Sequence, residues 1–459
     1  MTLTPFLLFA TIQILPTHDD WVGTTSPDFT PFFTKEHFLF YGYHWRPFDT
    51  WIGYIVGRNP QFLFPFFNHI CVIIGHFICS LLIYRLLIIL DFNRLSSNVT
   101  TLFFFITPAT MATVLAVDSQ NQIYALIWDI LAFISYITKK YKYLLWPLFV
   151  FIATLSKENG LMWALICPIL AYGFDFVDKK TLKRDSIIGI IIILFYFLAI
   201  ALLPKNMVIH PEYVPDSLKI VKNIIKFFFS SFITVDYIYL LHQPKQNILL
   251  AALTLSLCAP FMYVGFIRQL KHIIQKKTLC IIICMFIAVT PHLVTVFSMM
   301  HTYGGLLFVG LLVACGINQC KNNKKNIIIS FALYIVAAIT INVHLIKESI
   351  ASGLIGKKMA QEAIQKTKPY TKDVYLIIIE EDFEKLSSFC TIPSEAFGWG
   401  LAARHETNYQ WPETIIDTLI ERSIDYHTTA KNIAKEKLQK KQFDCVWIAD
   451  HDNIEVINK

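Results

Sequence analysis

Long apolar runs separated by short polar loops fill residues 1–346 of this chain, and a polar, mixed pattern fills the rest. A helix that crosses a bilayer needs roughly 20 mostly apolar residues, because the hydrocarbon core is about 30 Å thick and each residue rises about 1.5 Å. Ten segments fit, around 65–90, 99–117, 122–138, 143–156, 160–177, 186–204, 247–267, 279–298, 303–319 and 326–346. Residues 1–16 are apolar but short. No basic residue precedes them and no small-residue cleavage site follows, so they read as a first spanning helix, clipped at its start, rather than a signal peptide. Residues 227–242 are apolar and short, with Asp236 inside them and Lys219, Lys222 and Lys226 ahead. They read as an interfacial or re-entrant helix. Beyond residue 346 an amphipathic stretch at 349–367 leads to a strand at 373–379, a helical pattern at 414–440 and a second strand at 444–449. The expected architecture is a polytopic α-helical membrane protein of about 11 spanning helices, residues 1–346, with a small α/β domain over 347–459.

Composition supports this division. The 459 residues are 55% hydrophobic and 16% charged, against about 25% charged in an average soluble domain. That excludes an ordinary soluble enzyme, a disordered chain, collagen and a disulfide-knotted mini-protein. Residues 1–346 hold 25 Lys and Arg against 15 Asp and Glu, whereas residues 347–459 hold 15 against 18. Basic residues collect in cytoplasmic loops. Arg85 and Arg94, the cluster of Lys139, Lys140 and Lys142, the runs Lys179–Arg184 and Arg268–Lys277, and Lys321, Lys324 and Lys325 fall in alternate loops and make up 16 of those 25. This predicts a cytoplasmic N-terminus, an outer first loop at 17–64, and an extracytoplasmic C-terminal domain.

Polar groups at the ends of spanning helices are costly there and merit a functional reading. Four places stand out, all on the outer side. His18-Asp19-Asp20-Trp21 follows the first helix. Two adjacent carboxylates supply a general base, or a base plus a group that positions a cation or an acceptor hydroxyl; the plain alternative is a solvated loop. In Tyr43-His44-Trp45-Arg46-Pro47-Phe48, Arg46 offers a forked contact to a phosphate, or snorkels to headgroups. Ser156-Lys157-Glu158-Asn159-Gly160 makes a tight hairpin whose Lys157 and Glu158 form a structural ion pair or face a cavity. Asp118, in the hairpin before, has the same two readings. His301 in His301-Thr302-Tyr303 is a ligand contact or a satisfied interfacial residue. His69 and His76 share a helix face two turns apart and read as packing and hydrogen-bonding residues, with no further metal ligand nearby.

Taken in order, these residues resemble the glycosyltransferase C (GT-C) superfamily, closest to the protein O-mannosyltransferases and the transmembrane-tetratricopeptide mannosyltransferases. The resemblance rests on Asp19-Asp20 after the first helix, Arg46-Pro47-Phe48, Asn59-Pro60, the pair His69 and His76, Thr107-Pro108, and Ser156–Gly160 as the family's Ser-Lys-Glu-x-Gly hairpin. Val72 stands where the family usually has Asn, and His301-Thr302-Tyr303 occupies the place of an Arg-Tyr motif. The C-terminal region, with Gly398–Ala402, resembles the small outer domains of some bacterial members and lacks tetratricopeptide repeats. The resemblance implies helices around a cavity fed by a polyprenyl-phosphate-linked sugar, with a hexosyl group moved to a protein, lipid or glycan acceptor outside a bacterial inner or plasma membrane. Carried over residue by residue, Asp20 or Asp19 is the base. Arg46 is a phosphate contact, Lys157 and Glu158 shape the carrier or acceptor site, and Asp118 and His301 lie beside it. Direct displacement would invert the anomeric centre.

The main rival is a transporter or flippase of a lipid-linked or amphiphilic substrate. Such proteins favour internal repeats and mid-membrane breaks, and no repeat is evident here. A polysaccharide ligase or polymerase would place its large outer loop late in the bundle, whereas here the longest is the first. No nucleotide-binding loop, dinucleotide fingerprint or zinc spacing appears. This fits a lipid-linked donor and gives no sign of a nucleic-acid partner. A divalent cation is left open. Eight of the ten cysteines lie in or beside spanning segments, while Cys390 and Cys445 fall in the outer domain, where a bridge is chemically allowed.

Overall fold

The computed structural model describes residues 9–11, 13–15, 46, 48, 66–138, 140–202, 217–232, 244–294, 297–320, 323–379, 397–407, 411–440 and 442–459. Among its helices are α1 (Phe66–Ile89), α2 (Arg94–Ile106), α3 (Pro108–Val114), α4 (Gln120–Thr138), α5 (Lys142–Ser156), α6 (Trp163–Gly173), α7 (Lys179–Leu202), α8 (Ser217–Phe232), α9 (Pro244–Met262), α10 (Lys276–Leu293), α11 (Tyr303–Gln319) and α12 (Lys324–Lys366). Among the described residues, five helices are long and apolar enough to cross a bilayer: His69–Ile89, Lys179–Leu202, Lys276–Leu293, Met299–Gln319 and Lys324–Lys366. The chain is a helical integral membrane protein with a small sheet at its C-terminal end.

The segment expected as one span at 99–117 is two helices, α2 and α3, broken at Thr107-Pro108. Proline drives its predecessor out of the helical region, and Thr107 is extended at φ −62°, ψ 136°. Pro108 has no N–H, so the carbonyl of Phe104 loses its helical donor, and the change of direction strips those of Phe105 and Ile106. Inside a bilayer such groups need partners from the protein. Thr110 Oγ1 donates to Phe104 O at 2.8 Å, His76 Nε2 to Phe105 O at 3.1 Å, and Asn342 Nδ2 to Ile106 O at 2.7 Å. A carbonyl only accepts, so Nε2 of His76 carries a proton and Nδ1 is left to accept from Tyr303 Oη, 2.8 Å away. Tyr334 Oη closes the break by donating to Thr107 Oγ1 at 2.8 Å. The packing and hydrogen-bonding role expected of His76 is thus given its partners.

The loops rich in lysine and arginine meet at one end of the bundle. Lys277 Nζ lies 4.4 Å from the Phe92 ring centre and 4.2 Å from that of Phe174. Asn93 bonds Asn318 at 2.5 Å, and Arg268 bonds Cys320 Sγ at 2.7 Å. Asp185, fully buried, accepts from Tyr136 Oη and Lys142 Nζ at 2.6 Å each and from Arg184 Nε at 3.0 Å. This cluster pins α4, α5 and α7 together. At the opposite end, the 3-10 turn Val117–Ser119 packs on the turn Met299–Thr302, with Ser119 Oγ 2.9 Å from Met300 Sδ.

The interfacial segment differs in its bounds. The described helix is α8, which begins at Ser217 and already contains the three lysines; residues 233–243, with Asp236, lie outside the described residues. Asn223, Phe227, Ser230 and Ser231 are buried along one stripe, while Leu218, Val221 and Ile225 are exposed. Lys222 is exposed among these apolar residues, a mixed outer face that suits the lipid–water boundary.

The last span and the amphipathic stretch 349–367, expected as separate elements, form the single helix α12 of 43 residues. No proline or glycine pair interrupts positions 346–349, and Lys347 and Glu348 are good helix formers. At about 1.5 Å per residue it is roughly 65 Å long, twice the hydrocarbon thickness. Its last turns reach the sheet, whose order is β2 (Thr414–Ile420), β1 (Asp373–Ile379), β3 (Cys445–Asp450), β4 (Asn453–Asn458). The first three strands are parallel and β4 is antiparallel to β3. Met359, Ala360 and Ala363 of α12 pack with Leu376 and Trp447 on one face, and Ala430 and Ala434 of α13 (Tyr426–Gln439) cover the other. Burial on both faces explains the continuous apolar run of β1. The helical pattern expected over 414–440 divides: Thr414–Ile420, rich in β-branched residues, is the edge strand β2, and only Tyr426–Gln439 is helical. Cys445 is a free, buried thiol, which burial pushes up to about 11; Cys390 lies outside the described residues.

Two expectations for stability follow. Replacing His76 with Phe keeps the ring volume but leaves the Phe105 carbonyl and the Tyr303 hydroxyl unpaired, at a cost of about 1–3 kcal/mol; Asn342→Leu should cost a similar amount. Asp185→Ala strands the Lys142 ammonium in a buried site, a loss of about 3–5 kcal/mol, and pairing Asp185→Leu with Lys142→Met should recover most of it. Thermal unfolding of the purified variants in detergent measures both.

Candidate functional site

The hairpin between α5 and α6 turns within five residues. Lys157 leaves the helix in an extended conformation, φ −153° and ψ 135°, with its N–H on Ala153 O at 2.8 Å. The 3-10 turn Glu158–Met162 then folds straight back on α5. Gly160 permits this close return, since a Cβ there would lie 2.6 Å from the Ala153 carbonyl carbon. The return sets Lys157, Glu158 and Asn159 at the end of the bundle.

Glu158 is paired with Arg46, 112 residues away in sequence. Arg46 Nε donates to Oε1 and an Arg46 Nη donates to Oε2, each at 2.6 Å. A forked guanidinium–carboxylate pair of this kind is strong and fixes both planes. The side chains are 16% and 30% exposed, so the pair sits at a mouth rather than in the core. The sequence reading treated Arg46 and Glu158 as separate candidates, and the fold joins them.

The turn before α11 supplies the opposite wall. His301 sits in the 3-10 turn Met299–Thr302, and its Nδ1 accepts the Ser298 backbone N–H at 3.1 Å. That assignment leaves Nε2 as the donor of the neutral ring. The imidazole of His292, near the end of α10, stacks on it with ring centres 4.6 Å apart and planes 14° from parallel. Both rings lie within electrostatic range of Lys157 and Arg46, and His292 also senses Glu158. Tyr196 of α7 is within range of Glu158 and Arg46. Gly304 brings the first turn of α11 toward Asn159, whose Nδ2 would be 3.6 Å from a Cβ at that glycine. Arg46, Lys157, Glu158 and His301, scattered over 256 positions of sequence, therefore come together. The three charged members sum to +1, beside two imidazoles and a phenol, a setting that suits an anion.

Sequence reasoning missed His292 and Tyr196. Both lie inside segments read only as apolar spans; for His292 the usable signal was the rarity of ionisable side chains in a spanning helix, and Tyr196 gave none. Asp118 lies in the turn Val117–Ser119, against the turn that carries His301; its side chain is outside the described residues. Asp19 and Asp20 are also outside them. The chain just ahead is placed, with Ile14 beside the buried His69 and Leu15 against Gly353 of α12. Among the described residues, no three His, Cys, Asp or Glu side chains converge as metal ligands.

No protein-family model matches the chain, and no curated protein matches its sequence. Among solved structures it is similar to the crystal structure of ArnT from Cupriavidus metallidurans bound to undecaprenyl phosphate, over 99% of this chain and 96% of that one, with 10% identity and a TM-score of 0.45.

Proposed function

We propose that this protein is a membrane glycosyltransferase that moves a sugar from a polyprenyl-phosphate-linked donor to an acceptor hydroxyl. The observation that carries the reading is Arg46, locked onto Glu158 in a mouth shared with Lys157, His292 and His301. When the bond from the anomeric carbon to the phosphate oxygen breaks, its electron pair stays on the phosphate. Fixed cations beside that oxygen lower the barrier, because they need no reorganisation as charge develops. Arg46 and Lys157 are suited to that task, with Glu158 holding the guanidinium in place. The acceptor hydroxyl forms the new bond and gives its proton to Asp20 or Asp19. His301 and Asp118 border the space available to donor and acceptor. Attack opposite the leaving phosphate inverts the anomeric centre.

The convergence of the basic loops at the other end of the bundle supports a cytoplasmic position for that end. On this reading the eleven expected spans put residues 17–64 and the C-terminal domain outside. The break at Thr107-Pro108 is closed by His76, Thr110 and Asn342, which favours a static bundle over the opened half-helices of a transporter.

The test uses proteoliposomes loaded with a polyprenyl-phosphate hexose and a hydroxyl acceptor. Arg46→Gln and Glu158→Gln should each lower transfer by roughly 10²–10³-fold, and Arg46→Lys should keep part of it. At least one of Asp19→Asn and Asp20→Asn should abolish transfer while the protein unfolds at the wild-type temperature. Full activity in all these variants, or movement of the lipid-linked sugar across the bilayer with no new glycosidic bond, overturns the proposal.

A further inference from the structure

The lysine-rich end carries a feature that sugar transfer does not use. An open cleft of about 520 Å³ lies between α6, α7 and α10, within the range of about 300–1,000 Å³ usual for ligand pockets. Ile169 and Tyr172 of α6, Leu182 of α7, and Leu279 and Ile283 of α10 form its walls, and Lys276 stands at its edge. Ile283 is seven residues beyond Lys276, roughly 10 Å further along the helix, and Ile169 is one turn deeper than Tyr172. The cleft therefore has a polar end, where Lys276 stands, and is apolar along its depth. Two of its walls, α7 and α10, are helices long enough to span, so it opens toward lipid.

The charge at the rim is unbalanced. Lys179 and Lys183 lie three residues before and one after Leu182, and neither forms an ion pair among the described residues. The nearby acids do not cancel this charge, since Asp178 stands alone against Lys179, Lys180 and Lys183. Asp175 pairs with Lys276, whose ammonium also lies 4.3 Å from the Tyr172 ring centre, and Asp178 accepts the Thr181 N–H at 2.8 Å. An open apolar cleft beneath surplus positive charge matches one class of molecule.

We propose that this cleft binds an anionic phospholipid, with one acyl chain along Ile169, Leu279 and Ile283 and the phosphate against Lys179 and Lys183. A zwitterionic lipid has the same chain but adds a cation of its own at the rim. A detergent tail fills the slot without using the lysines. The charge is thus the discriminating element, and the apolar wall supplies binding common to all three.

Native mass spectrometry of the purified full-length protein tests this, with titration by phosphatidylglycerol or by phosphatidylcholine of matched chains. The wild type should retain phosphatidylglycerol several-fold better. Replacing both rim lysines (Lys179→Gln with Lys183→Gln) should lower phosphatidylglycerol retention several-fold, to the level of phosphatidylcholine, whose own retention should not change. Ile283→Trp, which fills the slot from its lipid-facing side, should lower retention of both. Equal retention of the two lipids by the wild type, or undiminished phosphatidylglycerol retention in the doubly substituted protein, overturns the proposal.

Discussion

A peptide carbonyl inside a bilayer has no water to turn to, and at Thr107-Pro108 three successive carbonyls lose their helical donors at once. The partners that replace those donors come from different helices: His76 from α1, Thr110 from α3 and Asn342 from α12. Tyr303, at the start of α11, completes the arrangement through the other nitrogen of His76. Helices that apolar packing alone would let slide are thereby indexed to one another. Tyr303 directly follows the turn that carries His301, so the placement of one wall of the mouth descends from a bond made at a helix break.

The two ends of the bundle use charge differently. At the lysine-rich end, Asp185 is fully buried and surrounded by donors, an arrangement whose role is to fasten helices. At the other end, Arg46 and Glu158 remain partly exposed, and the two partners stand 112 residues apart in sequence. A carboxylate that holds a guanidinium still at an opening leaves both groups within reach of a ligand, whereas one sunk among a lysine, an arginine and a tyrosine fastens a scaffold. Geometry separates the two where sequence shows only acid near base.

Much of the helical architecture was legible because a period-free apolar run of twenty residues has few other uses, and β1 was legible because doubly buried strands leave an unbroken apolar signature. Lys157, Glu158 and His301 stood out as polar residues at the ends of such runs. What could not be read was the partnership of Arg46 with Glu158, since a contact across 112 residues leaves no trace in local spacing. The strand Thr414–Ile420 was hidden because an edge strand exposes both Ile416 and Leu419, which blurs the alternation that marks a strand. His292 was hidden inside an apolar run. The continuity of α12 was obscured by a change from apolar to amphipathic pattern, which alters what the helix faces but not its backbone.

That continuity makes α12 a stiff mast rather than a tether. Its C-terminal part carries the β-sheet through Met359, Ala360 and Ala363, while its N-terminal part is keyed into the bundle through Tyr334 and Asn342. The helical repeat then sets the bearing of the domain: one residue gained or lost between these anchors would swing it by about 100° and shift its height by about 1.5 Å. Length along this stretch is thus under a phase constraint, and evolution could lengthen the mast without turning its cargo only in steps close to whole turns.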